Sequence, residues 1–142
     1  MIYTKLTKKA LALSFEKHKN QLDKSGMPYI YHPFVVANGM MDEVTICVAL
    51  LHDIIEDTDV TVDDLYNQGF KEEIINAIVT LTHKKSEDYF LYVKRVKENP
   101  IARIVKIADL KHNSDLTRLS IITNEDLQRI EKYKEALKIL DE

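Results

Sequence analysis

Ile46–Leu51, reading ICVALL, is the longest uninterrupted apolar run in the chain. An element that is apolar on every side leaves no face for water, so this segment must lie at the centre of whatever forms. It is far too short to cross a bilayer, which takes about 20 residues. Directly after it come His52, Asp53, Glu56 and Asp57, all within HDIIED. Titratable groups beside a segment that has to be buried need a partner or an ion. Asp42 ahead of the run is a good N-cap, so a helix is expected from Asp42 to about Glu56.

The rest of the chain reads as helix too. Leu6, Ala10 and Leu13 recur at helical spacing within Thr4–Lys24. Pro33 favours a helix start, and a second helix is read over Phe34–Met41. Thr61 and Asp64 form a capping box for a short helix that Gly69 ends. Lys71–Thr82 carries Ile74, Ile75, Ile78 and Leu81 on one side. Ser86–Glu98 follows and is broken by Asn99-Pro100. Ile101–Leu119 and a last helix from Asn124 to Leu140 complete the order. No segment sustains the two-residue alternation of a strand. The expectation is an all-α compact bundle of seven or eight helices, with residues 1–142 as a single domain.

Composition narrows the function classes. The chain is 45% hydrophobic and 30% charged, as a folded globular chain should be. A net charge of −3 gives no electrostatic case for nucleic acid or a membrane as partner. The single cysteine, Cys47, lies inside the apolar run and reads as a buried structural thiol. With no secretory signal at Met1–Lys9 and no pair of cysteines to bridge, a cytoplasmic setting is expected. Homo-oligomerisation is left open.

Residues four apart share a helix face, which pairs His52 with Glu56 and Asp53 with Asp57. The bland reading of Glu56 and Asp57 is a solvated helix end. Partners for His52 and Asp53 must come from elsewhere. His32-Pro33 opens the second helix, and Asp109 interrupts the apolar stretch IVKIADLKHN. Lys106, His112 and Asn113 lie on the same side of that helix as Asp109, and an ordinary Lys106–Asp109 ion pair is the plain alternative. Together His32, His52, Asp53 and Asp109 make a two-imidazole, two-carboxylate set. Such a set suits one six-coordinate divalent ion, Mn²⁺, Fe²⁺, Co²⁺, Ni²⁺ or Mg²⁺, better than a closed structural zinc site. His18, His83 and His112 are spare, with His112 the nearest candidate for a further ligand.

HKNQLDKSGMPYIYHP, ALLHDIIEDTDVT, IVTLTH and VKIADLKHN occur in that order. This series resembles the HD-domain metal-dependent phosphohydrolases, and within them the hydrolase domain of the RelA/SpoT family and its small single-domain relatives. The resemblance implies an HD-type helical fold and removal of the 3′-pyrophosphate from the guanosine alarmones ppGpp and pppGpp, with Mn²⁺. It implies His32, His52, Asp53 and Asp109 as metal ligands, and Glu56 and Asp57 as the acidic pair that activates water. Asn113 matches a residue near the ribose or phosphates. Arg129 and Tyr133 match an arrangement in which the ring lies against the nucleotide. Where the family usually places basic residues after HKNQ, including an arginine that packs on guanine, this chain reads Leu22-Asp23-Lys24, and only Lys24 keeps the charge. Asp23 would repel phosphate or alter base recognition. Two other readings stand beside alarmone hydrolysis: an HD phosphohydrolase of another nucleotide or phosphate ester, and a non-catalytic nucleotide-binding sensor.

Overall fold

The computed structural model describes residues 1–142. Nine α-helices follow one another: α1 (Lys5–His18), α2 (Tyr31–Asn38), α3 (Glu43–Leu51), α4 (Ile54–Asp57), α5 (Val62–Asn67), α6 (Glu72–Leu81), α7 (Tyr89–Lys97), α8 (Pro100–Asn113) and α9 (Asn124–Asp141), with a 3₁₀ turn at Leu116–Arg118 between the last two. Counting α3 and the single turn α4 as the one helix read from sequence leaves eight. The only β-pairing is one isolated bridge, Leu22 to Pro28. The all-α expectation therefore holds. No helix is long and apolar enough to cross a membrane.

The apolar run sits where its composition requires. Every residue from Thr45 to Leu51 is buried, and α3 packs against α1, α2, α6 and α8. The buried apolar side chains form one cluster that also takes in Tyr92, Val93 and Val96 of α7 and Ala136 and Leu140 of α9. Cys47 is fully buried in it, and burial pushes the thiol up to about 12. Both capping expectations hold: the Asp42 side chain accepts from the Thr45 amide, and Thr61 and Asp64 form the reciprocal box.

Several boundaries differ from the sequence reading, each for a local reason. The first helix ends at His18 instead of Lys24, because Asp23 Oδ1 accepts the amides of Ser25 and Met27 and Gly26 takes φ +81°, making a turn. α7 starts after Asp88, whose carboxylate accepts from the Leu91 amide, rather than at Ser86. α9 starts at Asn124, and its cap is Thr123, whose side chain accepts from the Asp126 amide. α8 stops at Asn113 rather than Leu119, since Asp115 accepts from the backbone and hydroxyl of Thr117 and starts the 3₁₀ turn. Between α3 and α4, with neither proline nor glycine present, His52 Nδ1 donates to the Ala49 carbonyl at 2.6 Å, and Asp53 adopts φ −103°, ψ 2°.

Leu50 has no exposed surface at the middle of this core. Leu50→Ala should lower the unfolding free energy in urea by about 2–5 kcal/mol, the range for emptying an enclosed leucine site. A loss below about 1 kcal/mol would show that the site is not enclosed.

Candidate metal centre and adjoining cleft

Three helices deliver the polar cluster. α2 supplies His32, the break between α3 and α4 supplies His52 and Asp53, and α8 supplies Asp109. Their ligand atoms converge. His32 Nε2 lies 2.8 Å from Asp109 Oδ1, and His52 Nε2 lies 3.4 Å from the same oxygen and 3.2 Å from Asp53 Oδ2. His32, His52 and Asp109 are nearly fully buried and form a group with the spacing to hold a metal ion.

The histidine tautomers follow from their other contacts. A carbonyl only accepts, so His52 Nδ1 carries the proton given to Ala49, and Nε2 is the nitrogen turned to the cluster. That Nε2 is buried and has no hydrogen-bond partner. It faces carboxylate oxygens of Asp53 and Asp109, and although burial opposes a charge on the imidazole, these two carboxylates outweigh it and hold His52 well above its usual range, so that a divalent ion bound here would take the place of a proton. The residues present therefore fit a divalent ion. His32 Nδ1 is 2.7 Å from His112 Nδ1, and the two rings stack 9° from parallel. His32 Nε2 donates to Asp109 Oδ1 at 2.8 Å, and an ion bound there would displace that proton and leave the one shared with His112 on Nδ1. His112 thus stands behind a candidate ligand and is not itself one of the converging atoms.

Neighbouring groups stabilise the buried charges. Asp109 Oδ2 accepts from Lys106 Nζ at 2.9 Å, and Oδ1 also accepts from Asn113 Nδ2 at 2.9 Å. Burial works against the Asp109 carboxylate, but Lys106 and the two imidazoles hold it well below the usual range. Burial likewise opposes the Lys106 ammonium, and Asp109 outweighs it and holds that group up. Asp53 accepts from the Tyr29 hydroxyl. Burial pushes Asp53 up, and His52 outweighs this and brings it to about 2. Burial lowers His112 to about 4, assisted by Arg118 and His32.

Two spaces lie by the cluster: His52 and Asp53 line one, and Tyr29 and Asn113, which are bonded to Asp53 and Asp109, line the other. The smaller, about 130 Å³, is lined by His52, Asp53, Glu56, His83, Tyr89 and Lys106, among others. Here the His83 amide donates to Glu56 Oε1 at 2.5 Å, which leaves Oε2 open. Crowding by protein raises Glu56 and Asp57 above the usual carboxylate range. Asp57 does not line this space. Its backbone carbonyl is held by Gln21 Nε2 at 2.9 Å.

The larger space, about 370 Å³, brings together Lys24, Asn113, Arg129 and Tyr133, all four residues read from sequence as substrate contacts. Lys24 Nζ and Arg129 Nη2 both lean on the buried Asp126 Oδ1, at 3.4 and 2.6 Å. Two residues on this wall were missed in the sequence. Tyr29 lies inside the PYIYHP motif and carries a signal that could have been used. Arg118 carried none, because a helix drawn to Leu119 gives it no special position.

The Lys106–Asp109 pair yields a prediction independent of any ion. Removing one partner of a buried pair strands the other charge, so Lys106→Ala should destabilise the metal-free chain by about 3 kcal/mol in urea unfolding. An unchanged midpoint would mean that the pair contributes nothing to the fold.

Comparison with known proteins places this geometry. A family model described as HD domain matches residues 10–98. The chain is 33% identical over 141 residues to the guanosine-3′,5′-bis(diphosphate) 3′-pyrophosphohydrolase of Borreliella burgdorferi, covering 87% of this chain and 20% of that protein. It is 32% identical over 117 residues to the protein of the same name from Aquifex aeolicus, covering 74% of this chain and 17% of the other. A probable GTP pyrophosphokinase of Mycobacterium leprae is 31% identical over 121 residues, covering 76% and 15%. The chain thus spans a fifth or less of the length of these curated relatives. A solved structure of a metazoan orthologue of SpoT, which hydrolyzes ppGpp and plays a role in starvation responses, matches with a TM-score of 0.79 at 24% identity, over 99% of this chain and 88% of that one. At that identity the likeness is one of fold.

Proposed function

The chain belongs to the HD-domain family, and from that premise we propose that it is a divalent-metal-dependent phosphohydrolase that removes the 3′-pyrophosphate of guanosine alarmones. The observation that carries this reading is the convergence of His32, His52 and Asp109, with Asp53 3.2 Å from His52, by a nucleotide-sized cleft that Lys24 and Arg129 line. Pockets for small ligands run to roughly 300–1,000 Å³, and the cleft falls in that range. The names of the relatives from Borreliella and Aquifex support the substrate.

In this reading His32, His52, Asp53 and Asp109 hold one ion, Mn²⁺ by preference because two imidazoles and two carboxylates suit a six-coordinate site. A bound divalent ion supplies a lowered pKa for water and polarisation of a phosphoryl oxygen. The protein does the rest. Ala49 and His112 fix the two imidazole tautomers, the role that outer partners play at metal sites. Lys106 offsets the charge of Asp109 through its second oxygen, Oδ2. Lys24 and Arg129, both poised on Asp126, receive the phosphates. Glu56 is fixed through Oε1 by the His83 amide and takes the proton of the attacking water at Oε2. Water oxygen bonds to phosphorus, the bond to the ribose 3′ oxygen breaks with its electron pair on that oxygen, which takes a proton to become the 3′ hydroxyl, and inorganic pyrophosphate is released. Asp57 lies one residue further and acts on the charge of the site from outside the small cavity.

A second reading, hydrolysis of another nucleotide, is favoured by one observation: Asp23 puts a carboxylate on the cleft wall. A pure sensor fits less well, because it gives Glu56 no task.

The test is release of pyrophosphate from ppGpp with Mn²⁺, before and after chelation. Turnover should require the ion. Glu56→Gln should lower kcat by about 10²-fold or more while Mn²⁺ affinity stays within a few-fold, as expected for loss of a general base. Lys24→Ala should chiefly raise KM, since its contact is made alike in ground and transition states. Absence of turnover of ppGpp by the Mn²⁺-loaded chain, with another nucleotide cleaved readily, would leave the chemistry and overturn the substrate.

A further inference from the structure

One wall of the large cleft carries a hydrogen-bond acceptor and a donor that stand side by side without bonding each other. Asp23 Oδ1 is occupied by the amides of Ser25 and Met27, at 2.8 and 3.0 Å. Asp23 Oδ2 accepts nothing. Arg118 Nη1 donates to the His112 carbonyl at 3.0 Å and to Asn113 Oδ1 at 3.1 Å. Arg118 Nη2 donates to nothing. These two unused atoms lie 3.9 Å apart, beyond hydrogen-bond reach, on side chains 22% and 24% exposed.

The pair is held rigidly in place. Ser25 Oγ donates to the Arg118 carbonyl at 2.9 Å and accepts from the Ser120 amide at 3.1 Å, which ties the Asp23 turn to the 3₁₀ turn. Asn113, which orients Arg118, is itself bonded to Asp109. An exposed ion pair that serves only the surface contributes little. Here both partners are oriented by other bonds so that a free oxygen and a free N–H look onto the same space.

We propose that Asp23 and Arg118 are specificity-determining residues that read the edge of a guanine base in this cleft, an inference that rests on the nucleotide-hydrolase reading of the site. Guanine presents the acceptor O6 next to the donors N1–H and N2–H₂. Arginine is the side chain best suited to O6, and a carboxylate accepts from the adjacent donors. Adenine presents the opposite order in the same seating: its N6–H₂ meets the guanidinium and its N1 lone pair meets the carboxylate. Leu22, Leu119 and Tyr133 line the same cleft and offer surface to the faces of a base, while Lys24 and Arg129 take the phosphates. Asp23 is thereby a reader of the base instead of an obstacle to phosphate.

The test is calorimetric titration of GDP, IDP and ADP into the full chain with a chelator present, so that binding is read without turnover. GDP should bind roughly 10- to 100-fold tighter than ADP, the scale of a hydrogen bond to a charged group, with IDP between them because it lacks the 2-amino group. Asp23→Asn keeps the Oδ1 acceptor that the turn needs and turns Oδ2 into a donor. It should abolish the preference for GDP with an unchanged melting temperature. Arg118→Gln provides a second variant and should narrow the same ratio. Lys24→Ala should weaken all three nucleotides alike. Equal affinities for GDP and ADP in the unaltered chain, or full discrimination retained in Asp23→Asn, would overturn the proposal. A guanine preference in a chain that fails to cleave ppGpp supports the pair and counts against the proposed reaction alone.

Discussion

Asp109 is the charge around which this molecule is arranged. It is nearly fully buried, and such a carboxylate persists only where its surroundings compensate it. Four side chains from three helices do so: His32, His52, Lys106 and Asn113. The apolar face of α8 and the fully apolar α3 bring those groups within reach of one another. Folding the core and assembling the polar cluster are therefore one event. With Nδ1 bound to Ala49, His52 turns Nε2 to the carboxylates, and His32, His52 and Asp109 have the spacing that could hold a metal ion.

The site divides its charges by location. Carboxylates gather around the candidate ion position, while Lys24 and Arg129, anchored by Asp126, line the large cleft. In the proposed reading these cations attract an anionic substrate that the carboxylates would otherwise repel. Glu56 lines the small cavity together with His52 and Asp53, and Asn113, which is bonded to Asp109, lines the large cleft.

Much of this was legible in the sequence because it rests on helical periodicity and on polar residues that interrupt apolar runs. Ile46–Leu51 marks the central helix, and His52, Asp53 and Asp109 stand out as charges where burial is required. The parts that were not legible depend on side chains that compete with the helix for backbone partners. Asp23 and Asp115 each fold a turn onto their own amides, which ends α1 and α8 earlier than periodicity suggests. Those two turns build the wall of the cleft, so Arg118 and the positioning of Asp23 could not be read before the turns were known. The split of the acidic pair was hidden likewise, because it depends on the His83 amide and Gln21, which lie far from Glu56 and Asp57 in the chain.

The central claim is that a divalent ion sits among His32, His52, Asp53 and Asp109. Crystals grown with Mn²⁺ and measured at a wavelength where manganese scatters anomalously test it most directly. The account predicts one anomalous peak, bonded by His52 Nε2, His32 Nε2 and carboxylate oxygens of Asp53 and Asp109, with His112 outside the coordination shell. A peak held by other residues, or none while His52 Nε2 keeps its present surroundings, would contradict it.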